Sequence, residues 1–249
     1  MRNMGSSPSP RGIAAIVGVG GKLGRSVARK FAHEGYTVAI LARDLGRLSR
    51  FADEIAREEK AQVFAIRIDC SETRSIKEAF EGVLSLGFVE VLVYNAYNPA
   101  SSWTPTAFTD VRLDNFEKSL AVSSVGAFHC AQQVIPGMVE RGRGTILFTG
   151  CAASLNGIAG CGKFAVRALS QCLAREFQPL GIHVAHVIID GVIGAPASAA
   201  PRNALSSTSG GGANMDPDVV AQTYWQLHVQ DRSTWTQEID LRPGGPKLF

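Results

Sequence analysis

Glycines at 18, 20, 21 and 24 fall between an apolar run and a helical pattern in Ile13-Ala-Ala-Ile-Val-Gly-Val-Gly-Gly-Lys-Leu-Gly-Arg-Ser-Val-Ala-Arg-Lys-Phe-Ala32. A turn of this composition reaches backbone angles closed to other residues and lets peptide N–H groups approach an anion, which the N-terminus of the next helix also favours. The chemistry it suits is the binding of a dinucleotide's pyrophosphate. The spacing departs from G-x-G-x-x-G, because Leu23 intervenes, and is nearer G-x-x-x-G-x-G with Lys22 where the middle glycine would stand. A tight turn that merely opens a helix is the alternative. A second feature is Ala42 followed by Arg43 at the end of the next β-rich run. In a βαβ unit an acid at this point binds the adenosine 2′ hydroxyl, whereas a small residue followed by Arg accepts a 2′-phosphate. With Lys22 and Arg25 in the glycine turn, the charge pattern favours NADP(H) over NAD(H); a solvated Arg43 at a helix start is the bland alternative. Asp69 and Asn95 end two further apolar runs, where an adenine and its ribose would lie, or else are ordinary turn residues.

These residues need a scaffold that brings strand ends together. Apolar β-rich runs at 13–17, 36–42, 62–68, 89–96, 144–150 and 183–189 alternate with helical patterns at about 44–60, 71–86, 163–177 and 218–230, and a short last strand covers 236–241. Asp44 is the expected N-cap of the helix over 44–60. A long helix from about 114 is expected to turn Phe116, Leu120, Phe128 and Ile135 toward the core. The alternation predicts an α/β fold: a Rossmann-like, doubly wound parallel sheet in three αβα layers. Residues 1–11 are expected to be a flexible N-terminal arm and 12–249 a single domain. The Ala-, Pro-, Ser- and Gly-rich stretch at about 194–214 is expected to be a mobile loop over the binding edge, a candidate substrate lid.

The chain has 249 residues, 45% hydrophobic and 19% charged, enough for one large core. Its net charge of +3 comes from scattered residues with no basic stripe, so nucleic acid is not expected as a partner. Five cysteines, an odd number with no C-x-x-C pair, argue for reduced thiols in a cytoplasmic setting and against a metal site. No apolar run reaches the ~20 residues of a membrane span, and 1–10 has no signal-peptide core.

Six blocks in order then resemble the short-chain dehydrogenase/reductase family, over about residues 12–243. They are Val17-Gly-Val-Gly-Gly-Lys-Leu-Gly24, Leu92-Val-Tyr-Asn-Ala96, Val122-Ser-Ser-Val-Gly-Ala-Phe128, Gly144-Thr-Ile-Leu-Phe-Thr-Gly-Cys151, Lys163-Phe-Ala-Val-Arg-Ala-Leu-Ser170 and Asp190-Gly-Val-Ile-Gly-Ala-Pro196. The resemblance implies a cofactor side made of Gly18, Gly20, Gly21, Lys22, Leu23, Gly24, Arg43, Asp69, Cys70, Asn95, Ala96, Lys163 and Gly191. It also implies a homodimer or homotetramer. The family's catalytic Asn, Ser, Tyr and Lys fall on Ser123, Cys151, Ala159 and Lys163, so three of the four positions are substituted. The tyrosine, which moves the substrate proton, is absent, and the segment from Cys151 to Lys163 is about five residues shorter than in the family. Tyr94 and Tyr97 are the candidate substitutes, each set against a plain core or loop role. Cys151 has no neighbouring histidine to activate it, and His129, His183 and His186 lie on apolar elements as core or surface residues.

Two kinds of function follow. One is an NADP(H)-binding oxidoreductase acting on a carbonyl or alcohol, of unknown identity, with a non-standard or impaired proton donor. The other is a catalytically inactive nucleotide-binding or regulatory relative, or a truncated variant of an active reductase.

Overall fold

The computed structural model describes residues 11–98, 108–151, 161–194 and 214–244. Almost all of the expected N-terminal arm, most of the expected lid, and Ala159 lie outside the described residues. In chain order the elements are β1 (Ile13–Val17), α1 (Leu23–His33), β2 (Thr37–Ala42), α2 (Leu45–Glu59), β3 (Val63–Arg67), α3 (Thr73–Ser85) and β4 (Val89–Tyr94). There follow α4 (Leu113–Leu120), a π-helical turn (Ala121–Val125), α5 (Gly126–Arg141), β5 (Gly144–Cys151), α6 (Cys161–Phe177), β6 (Ile182–Ile189), α7 (Pro217–His228) and β7 (Glu238–Leu241).

Seven parallel strands form one sheet in the order β3-β2-β1-β4-β5-β6-β7. The order reverses between β1 and β4, and a crevice opens at that point beyond the carboxyl ends of the strands. Both faces of the sheet are covered, which is why β1 is apolar and buried at every residue. On one face Phe80, Val134, Met138 and Phe148 belong to a core closed by α3, α5 and α6; on the other Phe31, Ile55, Val91 and Tyr224 belong to one closed by α1, α2 and α7. This is the three-layer arrangement that the alternation predicts. Asp44 caps α2 as expected, its Oδ1 accepting from the Arg47 N–H at 3.0 Å.

One expectation about packing is corrected. Phe128 is 43% exposed, and the buried face of α5 carries Ala127, Cys130, Ala131, Val134 and Met138. A stripe extended at 3.6 residues per turn from Phe116 and Leu120 runs along Ala127, Ala131, Val134 and Met138, the observed inward face, and leaves Phe128 beside it. Phe128 follows Leu120 by eight residues, which sets it about 80° round the helix from that stripe, and the small Ala127 takes the inward place beside it.

Candidate nucleotide site

The glycine turn is fastened from beneath. The Gly18 and Val19 N–H groups donate to the Leu41 carbonyl at 2.8 and 3.1 Å, and the Asn95 side-chain amide donates to the Gly18 carbonyl at 2.9 Å. Gly18 has φ +86°, and a Cβ there would lie 2.4 Å from the Ala96 nitrogen, so only glycine fits. Gly24 lets α1 start hard against the turn, since its Cβ would fall 2.9 Å from the Val19 Cα. Gly20 is different: nothing lies within 4 Å of its would-be Cβ, and it lines an open cavity of about 720 Å³.

The cavity gathers the ends of β1 to β4. Gly18 and Gly20 form one wall, Arg43 and Arg47 a second, and Asp69, Cys70, Asn95, Ala96 and Tyr97 the rest. Arg47 was not singled out in the sequence, although it stands one helical turn after Arg43. Its nearest charged partner is Asp44 at 3.9 Å. Burial pushes the Asp69 carboxyl up, but hydrogen bonds from the Ser71 hydroxyl and N–H to its Oδ1, at 2.6 and 3.0 Å, and the charges of Arg43 and Lys118 hold it below its ordinary value.

Other expected cofactor residues act at one remove. Lys22 does not line the cavity; its ammonium donates to the Ile193 carbonyl at 2.6 Å, tying the turn to the segment after β6. Arg25 pairs with Glu54 at 2.9 Å and lies over the Phe51 ring, so it does not reinforce Arg43. Leu23 is buried in the core, Gly21 lies against Phe51, and Gly191 sits where a Cβ would come 2.8 Å from the Met215 sulfur.

On the other side of the crevice, Lys163 in the first turn of α6 donates to the Thr149 carbonyl at 2.8 Å. Burial lowers its pKa from the usual lysine value to about 8, partly offset by Cys151 at the end of β5. Its ammonium lies 5.7 Å from the centre of the Tyr97 ring. Ser123 is buried in the π turn and faces α6, where a Cβ at Gly162 would come 3.2 Å from its hydroxyl; it supports the start of α6 and does not line the cavity.

The four tyrosines of the chain sort by position. Tyr94 is buried, donates to the Val122 carbonyl and has its pKa driven well up by burial, so the structure excludes it as the substitute acid. Tyr224 is buried against the Thr149 hydroxyl at 2.7 Å, and Tyr36 bonds His228 at 2.6 Å beneath the sheet. Tyr97, 52% exposed, is the phenol on the cavity wall. The histidines stay out: His183 bonds the Thr236 carbonyl, His186 bonds Glu238, which also takes two bonds from Arg167, and His129 lies outside on α5. Among the described residues no group of three or more His, Cys, Asp or Glu could hold a metal, and no helix is long and apolar enough to cross a membrane.

The sequence profile of the short chain dehydrogenases matches residues 12–203. The chain is similar to 3-dehydrosphinganine reductase of Danio rerio, 30% identical over 195 residues, covering 72% of this chain but 57% of that protein. It is similar in structure to a short-chain dehydrogenase from Rhodopseudomonas palustris, with a TM-score of 0.78, 28% identity, and 94% of this chain and 100% of that one covered. A metagenomic short-chain oxidoreductase solved in complex with NADP shares the fold, with a TM-score of 0.76 at 21% identity over 94% of this chain and 97% of that one. A profile match over most of the chain, on a fold whose strand order and glycine turn place the crevice where that match requires it, makes this protein a member of the short-chain dehydrogenase family.

Proposed function

We propose that the protein binds NADP(H) in the 720 Å³ cavity and acts as an oxidoreductase on a carbonyl or alcohol, with Tyr97 handling the proton in place of the missing tyrosine. The observation that carries this reading is the make-up of one continuous cavity wall. It runs from the glycine turn and two arginines at one end to a half-exposed phenol, 5.7 Å from a lysine, at the other. The donors fit the cofactor: Gly20 leaves open space for close approach of a phosphate, the first turn of α1 has no side-chain cap to occupy its N–H groups, and Arg43 and Arg47 supply positive charge where a 2′-phosphate would lie. When bound, the nicotinamide supplies or accepts the hydride. Tyr97 donates or removes the proton at the substrate oxygen, and the Lys163 ammonium beside it stabilises the phenolate that donation leaves. Cys151 offers a weaker donor than the serine it replaces and Ser123 does not line the cavity, so substrate orientation falls to Tyr97 and Asn98 on the same wall.

The test has two parts. Calorimetry is expected to show NADPH binding more tightly than NADH. Purified protein is expected to oxidise NADPH against a panel of ketones, aldehydes and quinones that includes 3-dehydrosphinganine, because of the Danio rerio relative. Tyr97→Phe is expected to lower kcat by about 10²-fold or more with NADPH affinity kept, the range for removal of a positioned acid. Binding without any turnover would leave a nucleotide-binding protein that has lost catalysis, and no binding of either nucleotide would sink both readings. We further infer a homodimer or homotetramer in the cytoplasm. Exposed Val125, Phe128 and Phe164 on the helices beside the crevice support the first, and five free cysteines the second.

A further inference from the structure

Cys70 sits between β3 and α3 and forms part of the cavity wall while only 7% exposed. Behind it α5 runs so close that a Cβ at Gly126 would lie 3.1 Å from the Cys70 Cβ. Cys130 follows one turn later on that same face of α5, fully buried beside Cys70 in the same core. The Tyr94 hydroxyl, which donates to the Val122 carbonyl, lies near the same point, 2.5 Å from the would-be Gly126 Cβ. Two buried free thiols thus stand on facing elements, and of the two only Cys70 lines the cavity. Nothing in the proposed reaction uses either of them.

We propose that Cys70 and Cys130 are an oxidisable dithiol that meets a peroxide through the cavity and closes to an intramolecular disulfide. The two sulfurs have unequal roles. Only Cys70 lines the cavity where a peroxide enters, and burial drives the Cys130 thiol well above its ordinary value. The Cys70 thiolate attacks one peroxide oxygen: an S–O bond forms, the O–O bond breaks, and the departing oxygen takes up a proton, leaving a sulfenic acid. The Cys130 sulfur then attacks Cys70: the S–S bond forms, the S–O bond breaks, and the Cys130 proton leaves with the hydroxide as water. Overall two thiols are oxidised and one hydrogen peroxide is reduced to two waters. The access route rests on the reading of the cavity as the nucleotide site, so a bound nucleotide shields the pair.

The full chain, reduced and then treated with hydrogen peroxide at neutral pH, is alkylated and mapped by mass spectrometry. A linked Cys70–Cys130 peptide lighter by two hydrogens is expected. Saturating NADP⁺ is expected to slow its formation at least tenfold while leaving the exposed Cys172 unaffected. Cys130→Ala is expected to stop at a Cys70 sulfenic acid that dimedone traps; if that variant fails to fold, the wild-type map decides alone. Recovery of Cys70 and Cys130 as free thiols while Cys172 is consumed would overturn the proposal. So would a disulfide forming equally fast in protein that calorimetry shows to be saturated with NADP⁺. If NADP⁺ does not bind at all, the nucleotide reading falls by itself, and the linked peptide in the wild-type map still supports the dithiol.

Discussion

Arg43 leaves the end of β2 and Arg47 the first turn of α2, and both guanidiniums reach one wall of the cavity. A 2′-phosphate there would meet two positive charges, a 2′ hydroxyl would need neither, and this difference separates the two nucleotides. Charge-assisted hydrogen bonds contribute roughly 1.5–3 kcal/mol, or about 10- to 100-fold in affinity. Arg43→Asp is therefore expected to weaken NADPH binding by that factor and NADH binding by no more than about threefold, as read by calorimetry; equal losses would refute phosphate recognition. Lys163 makes a pH-dependent contribution. Burial lowers its pKa to about 8, so it is charged below that pH and neutral above. Any help its ammonium gives a Tyr97 phenolate is present at pH 7 and lost as pH rises through about 8, and the reductive kcat is expected to fall there. Lys163→Arg, which stays charged, is expected to remove this limb of the profile; an unchanged limb would assign it to another group.

The elements differ in how far the sequence foretold them, and the difference is one of range. The β1 strand, the glycine turn, α1 and the capped start of α2 were legible because strand composition, glycine spacing and an Asp N-cap are local signals. The outward place of Phe128 was not, because its size suggested the core although it stands about 80° from the Leu120 stripe, where the small Ala127 is buried instead. Arg47 was missed because its place on the cavity depends on how α2 packs beside the glycine turn. Tyr94 and Tyr97 could not be told apart until the end of β4 was fixed at Tyr94, which leaves the first phenol in the core and the second on the wall. Two glycines of one turn now allow an element-level test. Gly18→Ala places a Cβ 2.4 Å from the Ala96 nitrogen at φ +86°, and is expected to destabilise the fold by on the order of 2–4 kcal/mol in urea titration. Gly20→Ala meets nothing within 4 Å, so stability is expected to stay within about 0.5 kcal/mol while NADPH affinity falls, its methyl group standing where the phosphate approaches. Loss of affinity without loss of stability at Gly20 would separate the turn's binding role from its structural one, and an unchanged affinity would deny the turn its ligand. Phe128, on the exposed side of α5, allows another. If α5 forms a subunit contact, Phe128→Asp is expected to shift the mass measured by light scattering toward the monomer, and a wild-type chain already monomeric would end that inference.

At the scale of the whole molecule, the carboxyl ends of the strands hold the crevice and the opposite pole holds a buried polar junction that ties the layers together. His228, at the end of α7, bonds the Tyr36 hydroxyl at 2.6 Å through Nε2 and the Thr145 hydroxyl of β5 at 2.9 Å through Nδ1. Phe31 and Trp225 pack around it, and Arg11 lies over the Tyr36 and Trp225 rings. Burial lowers the His228 pKa from 6.5 to about 4; Glu90 opposes the shift, and Arg11 and His183 add to it. The native protein thus holds this ring neutral at a pH where the unfolded chain would protonate it. Its contribution to stability is complete above pH 6.5 and is lost as pH falls from 6.5 toward 4. Between pH 7 and pH 5 this single group removes about 2 kcal/mol. His183 and His186, also lowered by burial, act with the same sign. Asp69 and Glu238, whose carboxyls are held below their ordinary values, withdraw stability only at lower pH, as they protonate. Urea unfolding of the wild type is accordingly expected to show a clear loss at pH 5 relative to pH 7. His228→Gln, neutral throughout and able to keep a hydrogen bond to Tyr36 or Thr145, is expected to lower stability at pH 7 but to shrink the difference between the two pH values by about 2 kcal/mol. A variant that loses as much stability between pH 7 and pH 5 as the wild type would show that protonation at this pole does not control the acid response, and would move that role to the histidines of β6.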